Sequence, residues 1–151
     1  MRKTLLLLTT MALALLVAGG VAWAVPDGTP PTVVGTNPAE GATNVALDAK
    51  IRVKFSEPMK DRTINPTNIY IVDDTGTIVP ATVDYVDEIT PVRAVLKPTA
   101  PLEANTTYTV VVEGRGDGDM KAVKDASGTP LATDYTFSFT TGTDFATCPI
   151  E

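Results

Sequence analysis

The residues in this chain best suited to chemistry are acidic. Asp117-Gly118-Asp119 opens like a calcium-binding EF-hand loop. That loop needs an oxygen ligand at its fifth position, Gly at its sixth and Glu at its twelfth. Here those positions hold Lys121, Ala122 and Gly128, so the motif fails at each. Weak calcium binding in the Gly114 to Gly128 loop, through Asp117, Asp119 and Asp125, stays open, although Lys121 and Lys124 compete with a cation. The plainer reading is a solvated acidic loop. Arg115-Gly116-Asp117 is a tripeptide that some integrins recognise, but three residues carry little information. Glu57 and Asp61 would form a glycosidase pair only inside a substrate cleft, and turn chemistry at a strand end explains them more simply. Asn105-Thr106-Thr107 spells an N-glycosylation sequon, yet Thr107 also opens a strand.

Composition removes most other chemistry. The chain has no histidine, which excludes Ser-His-Asp and Cys-His catalysis, His-ligated zinc and His as a general base. Its one cysteine, Cys148, lies near the C-terminal Glu151. No intrachain disulfide can form, and an unpaired exported thiol can instead join a second chain in a disulfide dimer. A formal net charge of −6 disfavours nucleic acid as a partner. Glycan-binding sandwiches commonly offer exposed aromatic platforms. Trp23 falls in the leader described below, which leaves Tyr70 as the candidate platform. The sequence thus assigns no catalytic, cofactor-binding or metal-ligating residue and no cofactor, and reads as a non-enzyme.

The leader is an export signal over residues 1–24. Arg2 and Lys3 precede an apolar stretch from Thr4 to Val17, and Ala22-Trp23-Ala24 is a small-x-small cleavage site. The apolar run is short for a membrane span, which needs roughly 20 residues. Removal of Arg2 and Lys3 makes the mature chain more acidic still. Residues 25–30 form a Pro- and Gly-rich lead-in, 31–142 a single domain, and 143–151 a C-terminal tail. The expected location is outside the cytoplasm: extracellular, on the cell surface, or in a periplasm.

These candidates need strands to position them. Ile51, Val53 and Phe55 alternate with Lys50, Arg52 and Lys54, and Tyr135, Phe137 and Phe139 alternate with Thr136, Ser138 and Thr140. A period of two sends one set of side chains to a core and the other to solvent. Strands are expected at Thr32–Thr36, Lys50–Phe55, Asn68–Val72, Thr77–Tyr85, Val92–Lys97, Thr107–Glu113 and Asp134–Thr141. Asn44 to Leu47 is a further short edge. Pro58 and Pro98 stop strands because proline lacks the ladder N–H, and Pro80 marks an edge or bulge. Gly114 to Pro130 is the one long irregular segment. Seven or eight short strands without helical periodicity describe an all-β, two-sheet antiparallel sandwich of the immunoglobulin-like kind. The expected core is Ile51, Val53, Phe55, Ile69, Ile71, Leu96, Tyr108, Val110, Val112, Phe137 and Phe139. Tyr108 stands where a tyrosine corner would bond back to upstream backbone.

The order Pro38-Ala39-Glu40-Gly41-Ala42-Thr43-Asn44-Val45, Phe55-Ser56-Glu57-Pro58-Met59, Leu102 to Tyr108, Val123 to Gly128 and Phe137-Ser138-Phe139-Thr140-Thr141 resembles the SbsA-type bacterial Ig-like domain of surface-layer and other modular exported proteins. The likeness covers about Pro31 to Gly142. It departs where the family commonly has Asp-x-Ala-Gly-Asn: here Gly128 is followed by Thr129. The resemblance implies a non-catalytic structural spacer, or an adhesion or interaction domain, at the cell envelope or exterior. Its partners would be other envelope or surface proteins, or glycans. The alternative is a small calcium- or glycan-binding protein that uses its strand-end loops.

Overall fold

The computed structural model describes residues 28–88, 90–116 and 121–146. The leader, Asp117, Asp119 and Cys148 lie outside the described residues. Nine strands follow in chain order: β1 Val33–Asn37, β2 Ala42–Val45, β3 Ile51–Phe55, β4 Ile69–Val72, β5 Ile78–Val79, β6 Ala81–Val86, β7 Arg93–Pro98, β8 Thr107–Val112 and β9 Tyr135–Thr141. One 3-10 turn, Asp61–Thr63, lies between β3 and β4. The strands form a four-stranded sheet, β1-β3-β7-β6, and a five-stranded sheet, β2-β9-β8-β4-β5.

Alternation drives the packing, as the sequence pattern requires. In β3 the side chains of Ile51, Val53 and Phe55 are fully buried, while Arg52 and Lys54 face outward and are half-exposed. In β9 the rings of Phe137 and Phe139 are buried, with Ser138 between them facing out. The two inner faces close on one cluster with Ile69, Ile71, Leu96, Val110 and Val112, so every expected core residue is buried. Full burial of such a side chain contributes about 1.5–3 kcal/mol. Met59, Ile64, Leu102, Val123 and Leu131 extend the cluster into the connections.

The outer faces differ. On the four-stranded sheet Lys54 sits opposite Arg93, and Lys97 pairs with Asp84 at 2.6 Å. The five-stranded sheet carries cross-strand hydroxyl pairs, Thr107 with Thr140 at 3.0 Å and Thr109 with Ser138 at 2.8 Å. Two features depart from the sequence reading. The expected Thr77–Tyr85 strand is broken: β5 belongs to one sheet and β6 to the other. Pro80 sits at the crossing, and its carbonyl accepts the Thr99 N–H at 2.9 Å. The early edge strand, β2, runs parallel to β9, with Ala42 opposite Phe139.

Candidate functional site

The connections between β3 and β4 and between β8 and β9 meet at one end of the sandwich. Two bonds lock them together. The Lys60 N–H donates to the Lys124 carbonyl at 2.8 Å, and the Ala126 N–H donates to the Pro58 carbonyl at 3.0 Å. Thr63 lies across the junction. Its hydroxyl donates to the Lys60 carbonyl at 2.7 Å and accepts the Lys124 N–H at 3.1 Å. Beneath it, Ala122 and Val123 are buried and anchor the loop to the core.

Asp125 holds the turn that follows. Its Oδ1 accepts the Thr129 N–H at 2.7 Å and the Ser127 hydroxyl at 2.8 Å. The Gly128 N–H closes back on the Asp125 carbonyl at 3.0 Å, with Gly128 at φ +100°, a conformation that costs a side-chain-bearing residue heavily. The carboxylate is fully buried, and its Oδ2 has no hydrogen-bond partner. Burial pushes its pKa up. The bonds from Ser127, Thr129 and Gly128 more than offset that and leave it below the ordinary carboxylate range. The sequence reading of a solvated acidic loop is therefore wrong at Asp125. It is a turn former folded inward, because it is the acceptor its own loop requires.

A second lock comes from Tyr85 on β6, whose hydroxyl accepts the Met59 N–H at 2.7 Å. Burial raises this phenol's pKa; the Met59 bond opposes the rise and the charges of Asp87 and Asp61 add to it. The sequence reading missed this contact. Its available signal was an inward tyrosine, whose polar tip needs a partner. Gly114 explains the close return of β9: a Cβ there would fall 2.2 Å from the Thr133 backbone. The Gly114 N–H donates to Asp134 Oδ1 at 2.8 Å.

The remaining candidates do not converge. Asp61 is exposed and opens the 3-10 turn. Glu57 is half-buried in the loop before it. Arg115 and Gly116 are exposed, and their neighbour Asp117 is outside the described residues. Tyr70 is not an open platform. It is half-buried, and its hydroxyl donates to Glu113 Oε1 at 2.8 Å. Burial first, then the Glu113 bond and charge and the Asp134 charge, push its pKa up to about 12. Tyr108 does what a tyrosine corner requires: its oxygen accepts the Glu103 N–H at 2.8 Å.

The junction also frames a cavity of about 530 Å³, lined by Lys60, Arg62, Lys121 and Lys124 together with Thr63, Asn65, Thr67, Asn68 and Gly128. Most of its amides are structural. Asn65 Oδ1 accepts the Thr67 and Asn68 N–H groups at 2.9 and 3.1 Å, and Asn68 Nδ2 donates to the Thr63 carbonyl at 2.9 Å. Of the four cationic residues, Lys60 and Lys124 are half-buried and Arg62 and Lys121 exposed. Among the described residues no group of three or more His, Cys, Asp or Glu is placed to hold a metal ion.

Fold and site together define a two-sheet, Ig-like sandwich with its loops tied down at both ends. The family model for the bacterial Ig-like domain matches residues 27–141, and the chain belongs to that family. Among solved structures, the N-terminal part of the bacterial S-layer protein SbsC is similar, with TM-score 0.54 and 25% identity over 76% of this chain and 24% of that one. This chain spans 24% or less of the SbsC chains it matches. CopC from Methylosinus trichosporium OB3b shares the fold, with TM-score 0.56 and 18% identity over 80% of this chain and 99% of that one. So does PcoC, a methionine-rich copper resistance protein from Escherichia coli, with TM-score 0.53 and 17% identity over 75% and 99%. Nothing matches among curated protein sequences.

Proposed function

We propose that this is an exported, non-catalytic Ig-like module acting as a structural spacer or a contact domain at the cell envelope or exterior. The observation that carries this reading is the use to which the perturbed groups are put. Among the described residues, four of the five groups whose titration is shifted, Asp73, Asp125, Tyr85 and Tyr108, each accept hydrogen bonds from backbone N–H groups, and the fifth, Tyr70, donates to Glu113 beside it on the outer side of β4. Perturbed groups of a catalytic site face a cleft and one another. These hold turns and strand ends. Likeness to a segment of a surface-layer protein supports the same reading. Likeness to the copper proteins carries the fold alone, and Met59 here is buried in the core cluster.

In this reading residues 1–24 are removed on export, 25–30 lead into the domain, and Cys148 is free to join a second chain. The test is a hydrolase panel on the purified mature domain, covering glycosidic, peptide and phosphoester bonds. The module reading expects no turnover. Turnover abolished by Glu57→Gln or Asp61→Asn would overturn it. Thermal melts with calcium and with chelator should superimpose; a calcium-dependent rise of several degrees would favour the small binding protein instead.

A further inference from the structure

The chain is acidic overall, yet four of its twelve Lys and Arg residues line one cavity: Lys60, Arg62, Lys121 and Lys124. Among the described residues, none that lines it is acidic. The one nearby buried carboxylate, Asp125, is turned into its own loop and does not line the space. The ion pair Lys97–Asp84 lies away from it, on the outer face of the four-stranded sheet. Backbone bonds hold the two segments together: the Lys60 N–H donates to the Lys124 carbonyl at 2.8 Å, and Thr63 clamps both. Like charges gathered in one depression repel one another without a counter-charge, and a cleft lined by one sign of charge attracts the opposite sign.

We propose that this cavity binds an oxyanion carried on a sugar: a phosphate or carboxylate group of an anionic saccharide. The cations supply attraction, and Thr67 and the exposed edges of the turn supply hydroxyl and amide partners. At about 530 Å³ the space is within the roughly 300–1,000 Å³ range of small-molecule sites and larger than a lone phosphate needs. Among the described residues, no aromatic side chain and no large apolar one lines it, which disfavours nucleobases and lipid tails. A cationic lining with threonine and asparagine side chains suits a hydroxyl-rich, anionic ligand held by charge and hydrogen bonds in place of ring stacking. The site names a partner class for the contact module and rests on that reading only for the surface origin of the sugar.

The experiment titrates the full mature chain with tri-galacturonate, glucose 1,6-bisphosphate and neutral maltotriose at low ionic strength, following amide shifts by NMR. Binding of either anion, with shifts centred on residues 60–68 and 121–128 and none from maltotriose, is the expected result; which anion binds identifies the group. Arg62→Gln with Lys121→Gln should weaken binding about tenfold or more, and added salt should weaken it further. Lys50→Gln with Arg52→Gln removes equal charge elsewhere and should leave binding unchanged. If the pocket variant melts early, Lys121→Gln alone gives the reading, since that side chain is exposed. Lack of binding by both anions, equal loss in the sheet variant, or tighter binding of a single-stranded oligonucleotide would each overturn the proposal. Such a failure leaves the module reading intact, whereas turnover in the hydrolase panel would sink that reading and leave this site standing.

Discussion

The two ends of the sandwich are built from the same parts. One carries Asp125-Ala126-Ser127-Gly128-Thr129 and a tyrosine, Tyr85, whose hydroxyl accepts the Met59 N–H. The other carries Asp73-Asp74-Thr75-Gly76-Thr77 and Tyr108, whose hydroxyl accepts the Glu103 N–H. In both turns the aspartate Oδ1 takes the N–H four residues on, at 2.7 Å from Thr129 and 2.8 Å from Thr77. In both the glycine has positive φ, +100° at Gly128 and +83° at Gly76, and donates to the aspartate carbonyl at 3.0 Å. Yet the Asp73 turn is a hairpin tip with Asp74 to Thr77 exposed, while Asp125 is wholly buried under the β3–β4 connection. Local sequence makes the turn; tertiary docking decides how much energy depends on it.

The largest expected effects test whether the ends share one core. Phe55→Ala and Phe139→Ala should each lose about 3–5 kcal/mol by denaturant unfolding. Phe139 packs at 5.8 Å from the Tyr108 ring, whereas Phe55 closes β3 just before the Met59 loop. A loss confined to one substitution would mean that the ends unfold separately.

Next come the turns themselves. Asp125→Ala removes the acceptor of two bonds in a buried site and should lose about 2–3 kcal/mol. Asp73→Ala, at an exposed tip, should lose clearly less. Asp125→Asn keeps an acceptor and removes a buried charge whose second oxygen is unpartnered, so it should fall well short of the alanine variant. Equal losses at Asp73 and Asp125 in chemical melts would erase the distinction between the ends.

The tyrosine locks are weaker. Tyr85→Phe leaves the N–H of Met59, a buried residue, without its acceptor and should lose about 1–3 kcal/mol. Tyr108→Phe should lose about 0.5–1.5 kcal/mol, because Glu103 is exposed and water can replace the hydroxyl. The reverse order would show that the Tyr108 end is the more desolvated.

The smallest effects are in pH. Tyr70, Tyr85 and Tyr108 have raised pKa values, Tyr70 to about 12. Their contribution is complete below the unfolded phenol value of about 10 and is lost as pH rises through the folded values. Tyrosinate absorbance should therefore lag behind that of a free phenol, and melting temperature should fall above about pH 10. Asp73 and Asp125 are lowered, so their contribution is present above about pH 3.9 and is lost as pH falls through the folded values. Asp125→Asn should flatten the acid limb of the melting curve. An unchanged acid limb would mean that the buried carboxylate is not ionised in the fold.

The sequence by itself determined the strands, the core and one lock. Alternation in Lys50–Phe55 and Tyr135–Thr140 set which side chains meet, because strand geometry sends neighbours to opposite faces whatever the surroundings. Tyr108 was legible because its bond closes over a short stretch, to Glu103. The break at Pro80 was half legible: proline announces an interruption, not that the chain changes sheets there. Tertiary structure decided the rest. Tyr85 meets Met59, and Lys60 with Arg62 meets Lys121 with Lys124, only because β3, β6 and β8 end together at one end of the sandwich. The Thr63 clamp joins residues 61 positions apart, a separation across which no periodicity carries information. Asp125 has the residue type and spacing of an exposed turn; burial, which depends on what docks over it, is a property that no local pattern holds.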